Sequence, residues 1–260
     1  MKKVVLKTVD LVKFNLFIDS LIPLNDAGTV YFKIDSNGID TDSHNEAGTI
    51  IKSLRMGMDE LCGQSNIESV GSPIKLCFYE GKKVKKAFSF LSGNEIKCEI
   101  AYSEMEGELY AETLKVSSPK VSITLDAADP DLFEFANVPE ESIEACKDTT
   151  ESDCKFSITT NEIIQIKKFM DFDSSDEVEF RVNGTVKVCS EDSYEIDIAD
   201  DFGGTNNGNQ YVYKIGKDLF NKLDLNNYTV YPNLEDNKII FVADDGKMET
   251  VITLHEEVDL

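Results

Sequence analysis

Histidine is almost missing from this 260-residue chain, with His44 and His255 the only two. Catalysis near neutral pH draws on a positioned base, an activated nucleophile or a bound metal, and the sequence carries no HExxH, GxxxxGK[ST] or GxSxG. A non-enzymatic protein is expected, with no cofactor and no metal; the one catalytic class that leaves no such signature is a hydrolase built on two carboxylates. The run from Asp197 to Asp201 does not have the spacing of an EF-hand loop and reads as solvated charge. Six cysteines (Cys62, Cys77, Cys98, Cys146, Cys154 and Cys189) occur without a CxxC pair, which excludes a zinc ribbon or disulfide framework and points to free thiols in a reducing cytoplasm. No stretch approaches the roughly 18 apolar residues of a membrane span. The basic start at Lys2 and Lys3 runs into Lys7 and Asp10, so no signal-peptide core is expected. With 6 prolines, 15 glycines and 41% hydrophobic residues, disorder is excluded as well.

Carboxylates are what the chain has in excess. Its net charge is -23, which opposes any role in binding nucleic acid, because phosphate contact depends on Lys and Arg. The excess is uneven: residues 1–138 hold 15 Lys+Arg against 21 Asp+Glu, and residues 139–260 hold 11 against 28. Net charge says nothing of geometry, since cations can share one face while anions cover another.

At this length two cores are expected, split near Val138 into domains 1–138 and 139–260. In the first, Leu11, Phe14, Ile18 and Leu21 space an amphipathic helix over Lys7 to Leu21. Val30 to Asp35 alternates as a strand, Ser36-Asn37-Gly38 signals a hairpin, and Gly48 to Met56 reads as another strand. Gly57 to Ser72 reads as an irregular insertion. After a short strand at Ile74 to Phe78, Val84, Ala87, Phe88 and Leu91 mark a second helix rich in lysine, followed by strands at Glu95 to Ala101, Leu109 to Val116 and Lys120 to Leu125. The acidic stretch Asp126 to Asp153 has no sustained period and suits a connector. The second half repeats the order: a helix with Ile163, Ile166 and Met170, strands at Glu177 to Asn183, Thr185 to Ser190 and Tyr194 to Ile198, a loop at Gly203 to Asn209, a strand at Tyr211 to Ile215, a short helix with Leu219, Phe220 and Leu223, and closing strands at Tyr228 to Tyr231, Lys238 to Ala243 and Met248 to Leu254. The fold class is α+β, two domains each placing two amphipathic helices on antiparallel sheets.

The closing segment Phe241-Val242-Ala243-Asp244-Asp245-Gly246-Lys247-Met248-Glu249-Thr250-Val251-Ile252-Thr253-Leu254 resembles the C-terminal end of DNA sliding clamps of the PCNA and T-even bacteriophage type. Val121 to Pro130 looks like the last strand of a first clamp domain entering its connector, and Phe32 to Ile39 like the early hairpin. Each segment is common by itself; their joint order over the whole chain carries the resemblance. Departures are the Gly57 to Ser72 insertion, the Gly203 to Asn209 loop and the presence of only Arg55 and Arg181 as arginines.

That resemblance implies a homotrimeric ring around duplex DNA, a processivity factor for a DNA polymerase placed by a clamp loader in the cytoplasm, the host's if phage-encoded. Lys7, Lys13, Lys82, Lys83, Lys85, Lys86, Lys167, Lys168, Lys217 and Lys222 would face DNA from the helices, touching phosphates without reading bases; as an alternative, lysines on helices simply form solvated faces. Val121, Ile123, Val186 and Val188 would belong to the edge strands that join subunits, or else to ordinary interior strands. A partner-peptide pocket would take His44, Leu132, Phe133, Phe135, Leu254 and His255, unless the phenylalanines staple the connector to its own domain. A different class also fits the charge: a non-catalytic acidic binding protein that mimics DNA, which predicts no clustering of lysine on helix faces.

Overall fold

The computed structural model describes residues 2–24, 28–132, 139–172, 176–189, 194–199 and 210–254. Phe133, Phe135 and His255, and the loop expected at Gly203 to Asn209, lie outside them. Two compact units divide the chain: Met1–Glu46 with Lys52–Val138, and Ala47–Ile51 with Pro139–Leu260. Among the described residues no helix is long and apolar enough to cross a membrane.

Unit 1 runs β1 (Lys2–Val9), α1 (Leu11–Leu21), β2 (Val30–Ile34), β3 (Gly38–His44), β4 (Ile50–Gly57), α2 (Met58–Leu61), β5 (Cys62–Ser65), β6 (Ile74–Phe78), α3 (Gly81–Ser89), β7 (Lys97–Met105), β8 (Glu108–Ser117) and β9 (Ser122–Asp126). Its strands lie in the order β4-β3-β2-β6-β8-β7-β1-β5, and β9 pairs with β8. The helix expected to begin at Lys7 begins at Leu11 instead. Residues 2–9 form a strand, with Val4 and Leu6 buried on one face, and β1 pairs with both β5 and β7. Asp10 ends the strand and caps the helix, its Oδ1 accepting from the Val12 and Lys13 amides at 3.0 and 3.1 Å. The stretch read as an irregular insertion contributes α2 and the edge strand β5.

Aromatic rings lock α1 and α3 onto the sheet. Phe14 sits 5.8 Å from Phe32 and 5.0 Å from Phe88, and Phe17 lies 5.7 Å from Phe32. The close approach depends on Gly81, where a Cβ would fall 2.6 Å from Val30 Cγ1 and 2.8 Å from Ile22 Cγ1. Gly38 closes the β2–β3 hairpin with φ +147, and a Cβ there would lie 2.0 Å from the Met56 carbonyl oxygen.

Unit 2 runs α4 (Glu140–Lys147), β10 (Phe156–Ile158), α5 (Thr160–Phe172), β11 (Glu177–Val182), β12 (Val186–Cys189), β13 (Glu195–Ala199), β14 (Tyr211–Gly216), α6 (Lys217–Asn221), β15 (Tyr228–Asn233), β16 (Lys238–Ala243) and β17 (Met248–Thr253). It orders its strands as β10-β15-β16-β17 and β13-β12-β11-β14. A second aromatic chain fills this core: Phe156 to Phe180 at 5.8 Å, Phe180 to Phe220 at 6.2 Å, and Tyr228 to Phe241 at 5.9 Å. A reciprocal capping box starts α5, with Glu162 Oε2 accepting from the Thr159 amide at 2.6 Å and Thr159 Oγ1 from the Glu162 amide at 3.3 Å. The connector holds a helix for which periodicity offers no signal: α4 buries only Ile143.

Candidate nucleic-acid interface and strand edges

The ten lysines expected on one face fall into three groups. Lys7 stands on β1, exposed, and not on a helix. Lys13 on α1 is exposed, as are Lys82, Lys83, Lys85 and Lys86 on α3, where the buried residues Val84, Ala87 and Phe88 turn every lysine outward. Lys85 reaches across to α1 and lies 2.7 Å from Asp19 Oδ2. In unit 2, Lys168 is exposed and Lys222 half-buried.

Lys167 and Lys217 are committed inside the protein. Lys167 Nζ on α5 donates to the Asn221 and Leu223 carbonyls at the end of α6, at 3.0 and 2.5 Å. Lys217 at the start of α6 returns the contact, donating to the Met170 carbonyl in the last turn of α5. Each helix thus places a cation on the other's C-terminal carbonyls, where the helix dipole favours positive charge. The same device recurs with Lys52, 0% exposed, which donates to the Ser20 carbonyl at the end of α1 at 2.9 Å, and with Lys238, whose Nζ lies 3.5 Å from the Ala145 carbonyl of α4. Sequence alone missed these ties, because the partners are up to 93 residues apart.

The expected edge strands divide in the same way. β9 pairs only with β8 among the described residues, and its bonding alternates: the Val121 carbonyl accepts from the Ser118 amide at 2.8 Å and the Ala127 amide donates to Glu112 at 2.9 Å. In an antiparallel ladder this places the odd residues of β9 toward β8, so Ser122 and Thr124 present their amides and carbonyls to the open side. Val121 and Ile123 are half-buried beside that edge. β12 offers no edge, because β11 pairs one side and β13 the other; Val186 and Val188 are 0% exposed core residues. Among the described residues that sheet ends in β14 on one side and in β13 on the other. Beside it, Tyr194 stacks on the half-exposed Phe169 of α5 at 5.0 Å.

A groove of about 400 Å³ opens in unit 1 between the end of β6, the start of α3 and the outer side of β9, lined by Phe78, Tyr79, Lys83, Val84, Thr124 and Leu125 among others. Of the six residues expected in a peptide pocket, the described ones, His44, Leu132 and Leu254, do not line it. Of those six, His44 ends β3 half-buried, with Nδ1 2.6 Å from the Asn45 carbonyl oxygen, and Leu132 is 67% exposed in the turn Pro130–Leu132. Leu254 is buried in unit 2, its amide donating to the Asn237 carbonyl at 3.0 Å.

The start of the connector is tied down by a polar chain. Tyr110 Oη donates to Glu108 Oε2 at 2.5 Å and reaches Asp131 Oδ2 at 3.2 Å. Lys75 Nζ donates to the same Glu108 oxygen at 2.5 Å. Hydrogen bonds from Lys75 and then Tyr110 hold the Glu108 carboxyl below its ordinary range, and the bond to Glu108 pushes the Tyr110 phenol up. Among the described residues no three His, Cys, Asp or Glu side chains converge as a metal site.

The whole chain has the PCNA clamp fold. It matches a chain of a structure described as the C-terminal region of FEN-1 bound to A. fulgidus PCNA with a TM-score of 0.67 and 15% identity, covering 100% of each chain. PCNA from Thermococcus kodakaraensis matches with a TM-score of 0.68 and 14% identity, over 97% of this chain and 100% of that one. Proliferating Cellular Nuclear Antigen from Entamoeba histolytica matches with a TM-score of 0.68 and 12% identity, over 97% and 99%. No family model matches the sequence, and no curated protein sequence matches it.

Proposed function

We propose that this protein is a DNA sliding clamp, a non-catalytic ring that encircles duplex DNA and tethers a DNA polymerase. The observation that carries the reading is the match of the chain to a clamp fold over 97–100% of its length. The ring forms head to tail from three copies, β9 of one chain pairing with β13 of the next. Those are two different open strand edges, the requirement for a heterologous joint. The groove beside β9 receives the aromatic pair Phe169 and Tyr194 that flanks β13. Within the ring, lysine on exposed helix faces neutralises phosphates without base contacts, which leaves the protein free to slide. A clamp loader opens and closes it in the cytoplasm, the host's for a phage-encoded chain. His44, Leu132, Phe133, Phe135, Leu254 and His255 remain the proposed seat for the polymerase peptide.

Light scattering of the full chain over a dilution series, followed by retention on closed circular duplex, tests this. A mass of three chains, with retention lost when the circle is linearised, is the expected result. The net charge of -23 favours a second reading, an acidic protein that binds basic partners. A chain that stays monomeric at every concentration and never remains on a circle would establish that reading in place of the clamp.

A further inference from the structure

The two units differ in the charge carried by their helices. Among the described residues of unit 1, α1 and α3 are the helices long enough to present several side chains, and α3 carries four lysines and no carboxylate within Gly81–Ser89. Lys82, Lys83 and Lys86 have no ion-pair partner among the described residues, while Lys85 is engaged with Asp19. Beside them α1 turns Val12 and Leu16 outward, at 71% and 62% exposed, with Lys13 as its one cation. On α5 and α6 of unit 2 the balance is zero, and on α4 three glutamates outnumber one lysine. On α5, Lys167 and Lys168 are matched by Glu162 and Asp171, and on α6 Lys217 is matched by Asp218. Two of those three lysines are already bonded to helix-end carbonyls.

From this we infer that phosphate contact is carried by α3 through Lys82, Lys83 and Lys86, and that α5 and α6 act as neutral spacers. The inference rests on the clamp reading. Phosphate chemistry suits α3 because its lysines flank one another on consecutive turns without competing carboxylates. An acidic peptide is the other occupant such a face could attract, and the test below separates the two.

The test compares two full-length variants that each remove three positive charges: Lys82→Ser/Lys83→Ser/Lys86→Ser on α3, and Lys2→Ser/Lys3→Ser/Lys155→Ser at exposed positions outside the helices. Binding to a labelled duplex is followed by anisotropy from low to moderate salt, with poly-glutamate as a second probe and light scattering on the same samples. Each phosphate neutralised contributes about 0.9 to the slope of log K against log salt, so the α3 variant should flatten that slope by about 2 to 3 per chain and lose at least tenfold in affinity. The matched variant should stay within about threefold of the parent. Equal losses in the two variants would overturn the assignment, as would an α3 variant that loses poly-glutamate binding but keeps the duplex. The ring is judged separately. A monomeric parent that loses duplex binding only through α3 upholds the assignment and sinks the ring; a trimer whose binding ignores α3 does the reverse.

Discussion

Replacing Thr124 by proline should separate assembly from folding. Thr124 is exposed on β9 and, by the alternation of the ladder, its amide points away from β8. Proline deletes that amide, and an open edge is where a strand tolerates it. The β9–β8 pairing is untouched, so the thermal midpoint should stay within a few degrees. At the joint, one ladder bond of about 1 kcal/mol is lost and the neighbour's carbonyl is left unpaired at a further cost of about 1–3 kcal/mol. The total, about 3 kcal/mol per joint, is roughly a hundredfold in association. Light scattering across a dilution series reads this directly: Thr124→Pro should become monomeric at concentrations where the parent holds three copies. Ile123→Pro is the counterpart, because Ile123 pairs with Val116 on the inward side; it should lower the melting temperature of the monomer. A Thr124→Pro protein with the parent's mass at every dilution would refute the assignment of β9 as a joint.

Two other outcomes follow from the lysine and carboxylate geometry. Lys217→Met removes the cation from the Met170 carbonyl and should cost about 1–2 kcal/mol in urea unfolding followed by tyrosine fluorescence, with the salt slope of DNA binding unchanged. Glu108 titrates below its ordinary value because of Lys75 and Tyr110, so its contribution is fully present above the unfolded carboxylate pKa of about 4.3 and is lost as pH falls through the lower folded value. Lys75→Met should therefore lower stability at pH 7 and make the loss on acidification shallower, seen as converging urea midpoints between about pH 5 and pH 3.

Elements whose signal is local were legible in the sequence. The hairpin at Asn37-Gly38, the lysine-rich helix on Val84, Ala87 and Phe88, and the three closing strands lie where periodicity and turn chemistry put them. The helix expected over Lys7 to Leu21 overruns the last residues of β1, because the stripe through Leu11, Phe14, Ile18 and Leu21 does not by itself mark where it begins. Asp10 marks the true start, and its capping bonds to Val12 and Lys13 were the missed signal. Which strand is an edge is a property of topology: Val186 and Val188 alternate as an edge strand would, yet β13 covers them. The destination of a lysine is equally hidden. Lys167 and Lys168 are neighbours in sequence, but one caps a helix 54 residues away and the other is exposed.

The two edges joined in the proposed ring, β9 and β13, are unlike, and in that ring each chain would be a monomer with a head and a tail in the sense of polymer chemistry. Such a unit has two fates: the growing end meets the starting end and addition stops, or it misses and addition continues as a filament. Closure is therefore a matter of angle and not of bond strength, and strengthening the joint would not by itself favour the ring. A substitution that leaves both edges intact but tilts one of them would convert a closed, soluble species into an open-ended one, visible as a mass that rises with concentration without a plateau.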